Sequence, residues 1–201
     1  MDTQVLHKIS YGLYIVTVKD ENKDNGCIIN TTMQISSNPC LIAIALNKNS
    51  YTSEILAKTK KLNISIISNN ATHDIFENFG YHCGRDYDKF EKFKGTRATN
   101  GIFYITKYTN SYISATVENT IDLNSHFLFL AKVEEAIILN DTLSLTYEEY
   151  QKDLKNKINT NDKRKGWRCK ICGFIYEHEI LPPNYICPIC KHGAIDFEKI
   201  S

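Results

Sequence analysis

Residues 167–190 read WRCKICGFIYEHEILPPNYICPIC and hold two Cys-x-x-Cys pairs with fourteen residues between them. A Cys-x-x-Cys turn places both thiolates on one side of a tight loop, where backbone N–H groups point at the sulfurs and lower the thiol pKa. Two such loops that face each other form a tetrahedral all-sulfur site, which suits iron or zinc. The spacing predicts one metal ion, bound by Cys169, Cys172, Cys187 and Cys190.

The residues around the two pairs favour the same interpretation. Gly173 permits a left-handed turn after the first pair, and Pro188 stiffens the turn of the second. The segment 166–201 is too short to fold on an apolar core alone, so a bound metal would have to stabilise it. Four ordinary buried cysteines are the alternative, but they would not need paired spacing. The spacing alone does not separate iron from zinc.

The composition of the whole chain limits the class of protein. Its 201 residues suffice for one ordinary domain and a small one, and its 42% hydrophobic and 23% charged residues are typical of a globular protein. A net charge of +1 gives no reason to expect nucleic acid or a membrane surface as a partner. Seven cysteines, three of them isolated, do not resemble a disulfide framework. With no secretory signal and no long apolar run, we expect a cytoplasmic protein.

The region from Tyr11 to about Glu135 is rich in β-branched and aromatic runs, which Asn, Asp, Gly and Pro separate. Strands at this spacing indicate a mainly β barrel rather than alternating strands and helices. Strands are predicted over residues 13–18, 27–36, 40–46, 63–68, 101–108, 112–121 and 126–139.

Three helices and one linker complete the predicted organisation. A helix is predicted from Ser50 to about Lys61, with Thr52 or Ser53 as its capping acceptor, and two more over 71–78 and 147–156. The polar, basic stretch NKINTNDKRK at 156–165 has no periodicity and is predicted as a linker. The chain would therefore consist of a large domain at 1–155 and a small domain at 166–201.

The small domain is similar to the rubredoxin family. An aromatic residue, Trp167, precedes the first pair, Tyr176 lies four residues beyond Cys172, and the second pair reads Cys-Pro-x-Cys. The loop between the pairs is much shorter than in free-standing rubredoxins and resembles that of the short rubredoxin domain of rubrerythrins. The resemblance implies an iron site that carries one electron. Zinc is the alternative, and it would only hold the shape or bind a partner.

Three motifs of the large domain occur in a fixed order. Gly12 precedes the strand LYIVTV, residues 30–39 read NTTMQISSNP, and residues 79–93 read FGYHCGRDYDKFEKF. Over roughly residues 5–150 the chain resembles the flavin reductase-like family, in which the last motif reads F-G-x-x-S-G-R-D-x-D-K-F. Cys83 stands where serine is usual. The resemblance implies a split β-barrel that binds FMN, with a few helices.

FMN offers a hydrogen-bonding ring edge, a ribityl chain and a phosphate dianion. Hydroxyl and amide side chains at 30–37 suit these groups, and the loop 47–52 precedes a helix whose N–H groups favour a phosphate. A lysine or an arginine would add charge. The candidate FMN-binding residues are Asn30, Thr31, Thr32, Gln34, Ser36, Ser37, Asn47, Lys48, Ser50, Tyr51, Thr52, Arg85 and Lys89.

Simpler interpretations of these residues stay open. The stretch 30–37 could be a polar strand face, the loop 47–52 could be only a helix cap, and Arg85 could pair with Asp88. His82 lies in the family motif, either near the flavin or at the surface. The isolated cysteines are predicted as small buried apolar residues rather than redox thiols; they are Cys27, Cys40 and Cys83.

Together the two domains resemble the high-molecular-weight rubredoxins of anaerobic bacteria. The resemblance implies an oxidoreductase that passes electrons from NAD(P)H or a reductase through FMN to the iron. An acceptor such as a flavodiiron oxygen or nitric oxide reductase would follow, and the chain would be a homodimer. The sequence contains no G-x-G-x-x-G fingerprint, so NAD(P)H would have to stack directly on the flavin. No catalytic acid or base is predicted.

Two other functions remain compatible with the sequence. The first is an NAD(P)H:flavin reductase that uses the flavin as a dissociable substrate and carries a structural or docking ribbon with zinc. The second is a zinc-ribbon docking module on a barrel that has lost catalysis.

Overall fold

The computed structural model describes residues 5, 8–21, 23–154, 165–170, 174–188 and 193–200. Seven strands form one antiparallel sheet in the order β2-β1-β5-β8-β9-β4-β3. Two further strands, β6 (Thr96–Arg97) and β7 (Phe103–Tyr104), form a small ribbon of their own. The strands of the large sheet are β1 (Tyr14–Lys19), β2 (Asp24–Ile29), β3 (Thr32–Ser37), β4 (Cys40–Asn47), β5 (Lys61–Ile67), β8 (Thr109–Leu123) and β9 (His126–Ile138).

The two edges of this sheet, β2 and β3, follow each other directly in the chain. Only Asn30 and Thr31 separate them, so the edges must meet and the sheet must curl into a barrel with one unpaired seam. The predicted split barrel is therefore confirmed. The single strand predicted over 27–36 is wrong, because the chain turns at Asn30–Thr31 to pass from one edge to the other.

The barrel interior is filled by branched apolar side chains from alternate strand positions. Val16, Ile44, Ile64 and Phe129 have no exposed surface and form one cluster with Leu56 of the first helix. Burial of a side chain of this size contributes about 1.5–3 kcal/mol relative to exposure. This cluster fixes the first helix against the barrel, and with it the loop that precedes that helix.

The helices differ from the prediction at their ends. Helix α1 (Tyr51–Thr59) begins after Ser50, whose side chain makes no capping hydrogen bond, and it ends at Lys60 in the left-handed conformation. The predicted cap by Thr52 or Ser53 is wrong, since Thr52 Oγ1 accepts from Asn25 instead and Ser53 Oγ has no partner.

Two shorter helices support the other side of the barrel. Helix α2 (His73–Gly80) starts two residues later than predicted, after Thr72. Helix α3 (Tyr147–Glu149) opens with a capping box between Thr146 and Glu149 and continues as a π-turn over Tyr150–Leu154. The last two residues of the helix predicted over 147–156 lie outside the described residues.

The strand predicted over 101–108 is wrong except for β7. Neighbouring side chains take over the hydrogen bonds that a longer ladder would have made. Asn63 Nδ2 donates to the Ile102 carbonyl at 2.9 Å, and the Ile105 N–H donates to Ser65 Oγ at 2.9 Å. The segment therefore packs across β5 without pairing along its length.

The small domain contains three antiparallel strands in the order β11-β10-β12. They are β10 (Gly166–Cys169), β11 (Ile175–Tyr176) and β12 (Phe197–Ile200). A single 3-10 turn, Ala194–Asp196, precedes the last strand. The predicted linker at 156–165 lies outside the described residues except for Lys165. Among the helices that the structure describes, none has the length and apolar character to cross a membrane.

Candidate functional site

A cavity of about 220 Å³ opens between β2, the start of α1 and the segment that follows α2. Five of the predicted FMN-binding residues line it: Asn47, Ser50, Tyr51, Thr52 and Lys89. Apolar side chains complete part of its wall: Ile28, Ile29, Leu46 and Phe79. The cavity thus combines an apolar lining with a small group of polar atoms, as expected for a cofactor site.

The first turn of α1 forms one wall of this cavity. The helix is nine residues long, and Ser50 occupies its N-cap position in an extended conformation without a side-chain capping hydrogen bond. Uncapped N–H groups and the positive end of the helix dipole together attract an anion. The loop 47–52 therefore lies at the cavity with Ser50 providing no side-chain cap, and the phosphate contact stays a prediction.

Lys89 brings a positive charge to the same cavity. Only 4% of its surface is exposed, and Nζ donates to the Gly26 carbonyl at 2.7 Å and to the Phe79 carbonyl at 3.0 Å. Burial lowers the pKa of Lys89. Among the described residues no carboxylate forms an ion pair with it. A buried ammonium with carbonyl partners alone favours the approach of an anionic ligand.

Asn25, which the sequence did not indicate, also lines the cavity. Its Nδ2 donates to Thr52 Oγ1 at 3.0 Å, whereas its buried Oδ1 has no hydrogen-bond partner within the part of the chain that the structure describes. A buried acceptor without a partner costs about 1–3 kcal/mol, so this atom is suited to a donor on a ligand. Together with Lys89 and the helix start, Asn25 gives the cavity the groups that an anionic, hydrogen-bonding cofactor such as FMN requires.

Two predicted cationic residues lie away from the cavity lining. Lys48 Nζ is 2.6 Å from the Asp122 carboxylate, and the Arg85 guanidinium forms an ion pair with Glu54 while it stacks on Tyr51. The alternative pairing of Arg85 with Asp88 is wrong. Of the three cations considered from sequence, Lys89 is the one that lines the cavity.

The candidates around β3 form a separate group. Asn30 lines a second cavity of about 230 Å³, which Phe76, Tyr81 and Tyr150 also line. The hydroxyl of Thr31 donates to the Ala45 carbonyl, and the buried hydroxyl of Thr32 has no partner. Gln34 and Ser37 are exposed and Ser36 is half-buried, and none of these three lines either cavity.

Three further residues line the first cavity without having been assigned to it from sequence: Cys27, Asn49 and Cys83. Cys83 is exposed, so its prediction as a buried residue is wrong, whereas Cys27 and Cys40 are half-buried. Burial raises the pKa of the Cys27 thiol, which limits its reactivity. His82 also lines the cavity and stacks on Tyr87. Of the two positions considered from the sequence, the structure therefore shows the one at the cavity.

The small domain places two predicted metal ligands in one buried cluster. Cys169 and Cys187 each have no exposed surface and pack with Phe197. The Cys169 N–H donates to the Phe174 carbonyl at 2.8 Å, so residue 174 lies beside residue 169. Cys172 and Cys190 lie outside the described residues. Two predicted ligands buried in one cluster fit the predicted four-cysteine metal site.

The barrel, its anion-accepting cavity and the cysteine-rich tail define a two-domain oxidoreductase. The family model described as flavin reductase like domain matches residues 6–153, and that described as rubrerythrin, rubredoxin-like domain matches residues 167–198. The chain belongs to the flavin reductase-like family and carries a rubredoxin-like domain after the barrel.

Relatives and solved structures agree with this assignment. The chain is 30% identical to the high molecular weight rubredoxin of Moorella thermoacetica over an alignment of 229 positions that spans both proteins completely. It is 31% identical to a ferric-chelate reductase (NAD(P)H) of Archaeoglobus fulgidus, over 78% of this chain and 93% of that protein. The flavin reductase HpaC, solved with NADP⁺, shares the fold with a TM-score of 0.63 and 21% identity, over 72% of this chain and 89% of that one.

Proposed function

We propose that this protein transfers electrons from NAD(P)H or a reductase, through an FMN in the barrel, to an iron at the four cysteines. From there a redox protein such as a flavodiiron oxygen or nitric oxide reductase accepts them. The observation that carries the proposal is the cavity with Lys89, the uncapped start of α1 and the unpartnered Oδ1 of Asn25. It occurs in the same chain as a buried cysteine pair.

The residues of the cavity fit the parts of FMN. The N–H groups at Tyr51–Ser53 and the Lys89 ammonium suit the phosphate, whose two negative charges offset the cost of burying that cation. Asn25 Oδ1 suits an N–H or hydroxyl donor of the ring or the ribityl chain. When bound, FMN accepts two electrons as hydride and releases them singly. The protein residues bind and orient it and need no acid or base of their own.

The relatives support the electron donor and the metal of this proposal. One relative is named for NAD(P)H and one structural neighbour was solved with NADP⁺, which supports a nicotinamide donor that stacks on the flavin. The rubredoxin relatives support iron over zinc, because an iron tetrathiolate cycles between two charge states and zinc does not. We place the protein in the cytoplasm, where the three isolated cysteines would stay reduced.

One experiment tests the whole proposal. Protein purified without oxygen is analysed for metal and flavin, and its visible spectrum is recorded before and after NADH is added. We expect about one iron and one FMN per chain, with loss of both the flavin and the iron absorbance on reduction. Protein that contained zinc alone, or a barrel that refused FMN after reconstitution, would refute the proposal.

A second function is favoured by the length of one relative. The alignment with the ferric-chelate reductase covers 78% of this chain and 93% of that protein. A protein of about the length of the barrel alone is therefore named a reductase. In this alternative the barrel reduces flavin as a dissociable substrate and the tail is a zinc-bound ribbon. FMN that remained bound through gel filtration, together with iron in the tail, would exclude it.

A further inference from the structure

The cavity of the barrel has one wall residue from the other domain. Pro188 lines it together with Lys89 and the first turn of α1. This proline directly follows Cys187, a predicted metal ligand whose own side chain has no exposed surface. The turn that holds one metal ligand therefore lies at the cavity in which we propose that FMN binds.

The surface of this turn is apolar. Ile186 precedes Cys187 and is 55% exposed, and Pro188 is exposed as well. The buried sulfur of Cys187 is thus flanked on both sides along the chain by apolar groups at the surface. An apolar surface next to a redox centre allows close approach without the cost of stripping water from charges.

The cavity offers a matching surface. Ile28 and Ile29 supply apolar side chains, and Gly80 adds no side chain. A β-carbon placed on Gly80 would find only Ile28 within 4 Å, at 3.8 Å, so the barrel leaves open space at this position. A proline ring can therefore approach the cavity while the polar groups around Lys89 remain available to an anion.

We propose that the turn Ile186–Pro188 is a docking surface for the flavin cavity of its own chain. In this docked arrangement Cys187 is the ligand through which an electron reaches the metal. In each event one electron leaves the reduced flavin, one iron(III) becomes iron(II), and no covalent bond is made or broken. The inference rests on the proposed function and adds to it the contact through which the two centres communicate.

The test compares two variants of the complete, FMN- and iron-loaded protein. Pro188→Glu places a carboxylate against the apolar wall, whereas the matched control Ile180→Glu adds the same charge at a side chain that is 78% exposed and does not line the cavity. Stopped-flow spectroscopy follows flavin reduction by NADH and then the loss of iron absorbance. A second measurement, hydrogen exchange, follows the amides at 79–84.

We expect flavin reduction at the wild-type rate in Ile180→Glu, and in each variant the rate of iron reduction is taken only after the flavin is fully reduced. Iron reduction should slow by about tenfold or more in Pro188→Glu, because a carboxylate must lose water to dock, and it should be unchanged in Ile180→Glu. The amides at 79–84 should exchange faster in Pro188→Glu alone. If Pro188→Glu does not hold iron, Pro188→Ala is measured in its place. Its iron reduction should slow, and its amides at 79–84 should exchange faster, by smaller factors.

Two outcomes separate this inference from the proposed function. Wild-type rates of iron reduction and unchanged exchange in the proline variants would overturn the docking contact while leaving the electron transfer itself intact. A wild-type protein in which reduced flavin never bleaches the iron would overturn both. Iron reduction that speeds up with protein concentration would show transfer between chains and would overturn docking within one chain.

Discussion

Asn25 and Gly84 pack so closely that a β-carbon on Gly84 would lie 1.9 Å from Asn25 Oδ1. The backbone at Gly84 therefore holds the amide of Asn25 in place against the cavity. That amide also bonds to Thr52 in the first turn of α1, so one side chain connects the segment after α2 with the helix start. Because Oδ1 has no partner among the described residues, this contact positions an acceptor for a ligand.

Gly84→Ala should weaken FMN binding by about tenfold. The added methyl group must displace Asn25, which breaks its hydrogen bond to Thr52 and moves Oδ1, at a cost of about 1–2 kcal/mol. Flavin fluorescence titration of the apoprotein measures the dissociation constant. Gly193→Ala is the matched control, because a β-carbon there meets nothing within 4 Å. Equal affinities in the two variants would show that Asn25 does not contact the cofactor.

Lys89→Met should weaken FMN binding by about 10- to 100-fold. A charge-assisted hydrogen bond to phosphate contributes about 1.5–3 kcal/mol, and methionine fills the space of the lysine stem without the charge. Lys48→Met is the control, since that side chain is paired with Asp122 and lies off the cavity. A comparable loss in Lys48→Met would mean that the phosphate lies at the Lys48 side of the loop. Titration with FMN and with riboflavin, which lacks the phosphate, shows which group is responsible.

The affinity for FMN should fall as the pH rises, and the fall should begin at a lower pH than the ordinary pKa of an exposed lysine. Burial lowers the pKa of Lys89, so its ammonium loses a proton at a lower pH than an exposed lysine does. The neutral amine no longer attracts the phosphate. Stability of the apoprotein should change in the opposite sense, since the folded chain binds fewer protons than the unfolded chain between the two pKa values and is therefore stabilised as the pH rises.

Two variants show whether Lys89 is the group that titrates. Cys27 and Cys83 both interact with its charge. Affinity measured across the pH range in Lys89→Met and in Cys83→Ser separates the groups. The slope should vanish in the first variant and remain in the second. A slope that survived in Lys89→Met would assign it to another group.

The sequence correctly predicted the strands that consist of a β-branched run between turn residues. β1, β4, β5 and β9 appear within one or two residues of the predicted limits, because β-branched runs between turn residues leave little choice. The break between β2 and β3 was missed since CIINTTMQIS contains neither glycine nor proline. That turn results from the closure of the barrel, which depends on contacts between residues far apart in sequence. A local sequence pattern therefore does not predict it.

The sequence also predicted part of the candidate site and missed another part. The loop 47–52 and Lys89 lie in motifs with a recognisable order, and the structure brings them to one cavity. Asn25 gave no signal, because an asparagine beside Gly26 is typical of an ordinary turn. Its role depends on Thr52 and Gly84, which lie far from it in sequence. Lys48 and Arg85 were included as candidate FMN-binding residues because the sequence does not show which carboxylates form ion pairs with them.

Cys187→Ser should remove the metal and unfold the small domain while the barrel keeps its flavin. Two of the predicted ligands form the centre of that domain's only apolar cluster among the described residues, and a chain of this length folds on metal binding. Metal analysis, the visible spectrum and proteolysis after residue 154 measure the three effects. Cys40→Ser, at a half-buried position outside the small domain, is the control. Loss of FMN together with the metal would contradict independent cofactor binding.

Met33→Glu should abolish the homodimer that the family resemblance implies and leave a monomer. β3 is an edge strand of the sheet, and Met33 and Ile35 on it are 63% and 43% exposed, which is the pattern of a strand that another chain covers. Light scattering after gel filtration measures the mass. Leu143→Glu is the control, because that leucine is 72% exposed but lies off this strand.

The same variant also tests the candidates on β3. Gln34, Ser36 and Ser37 do not line the flavin cavity within one chain, so they can contact FMN only if a second chain brings its cavity to this edge. In that case Met33→Glu should lower the FMN content as well as the mass, and Leu143→Glu should change neither. A monomeric Met33→Glu with full FMN would remove the three residues from the cofactor site, since one chain would then hold the flavin without them. A variant that stayed dimeric would place the interface elsewhere on the barrel.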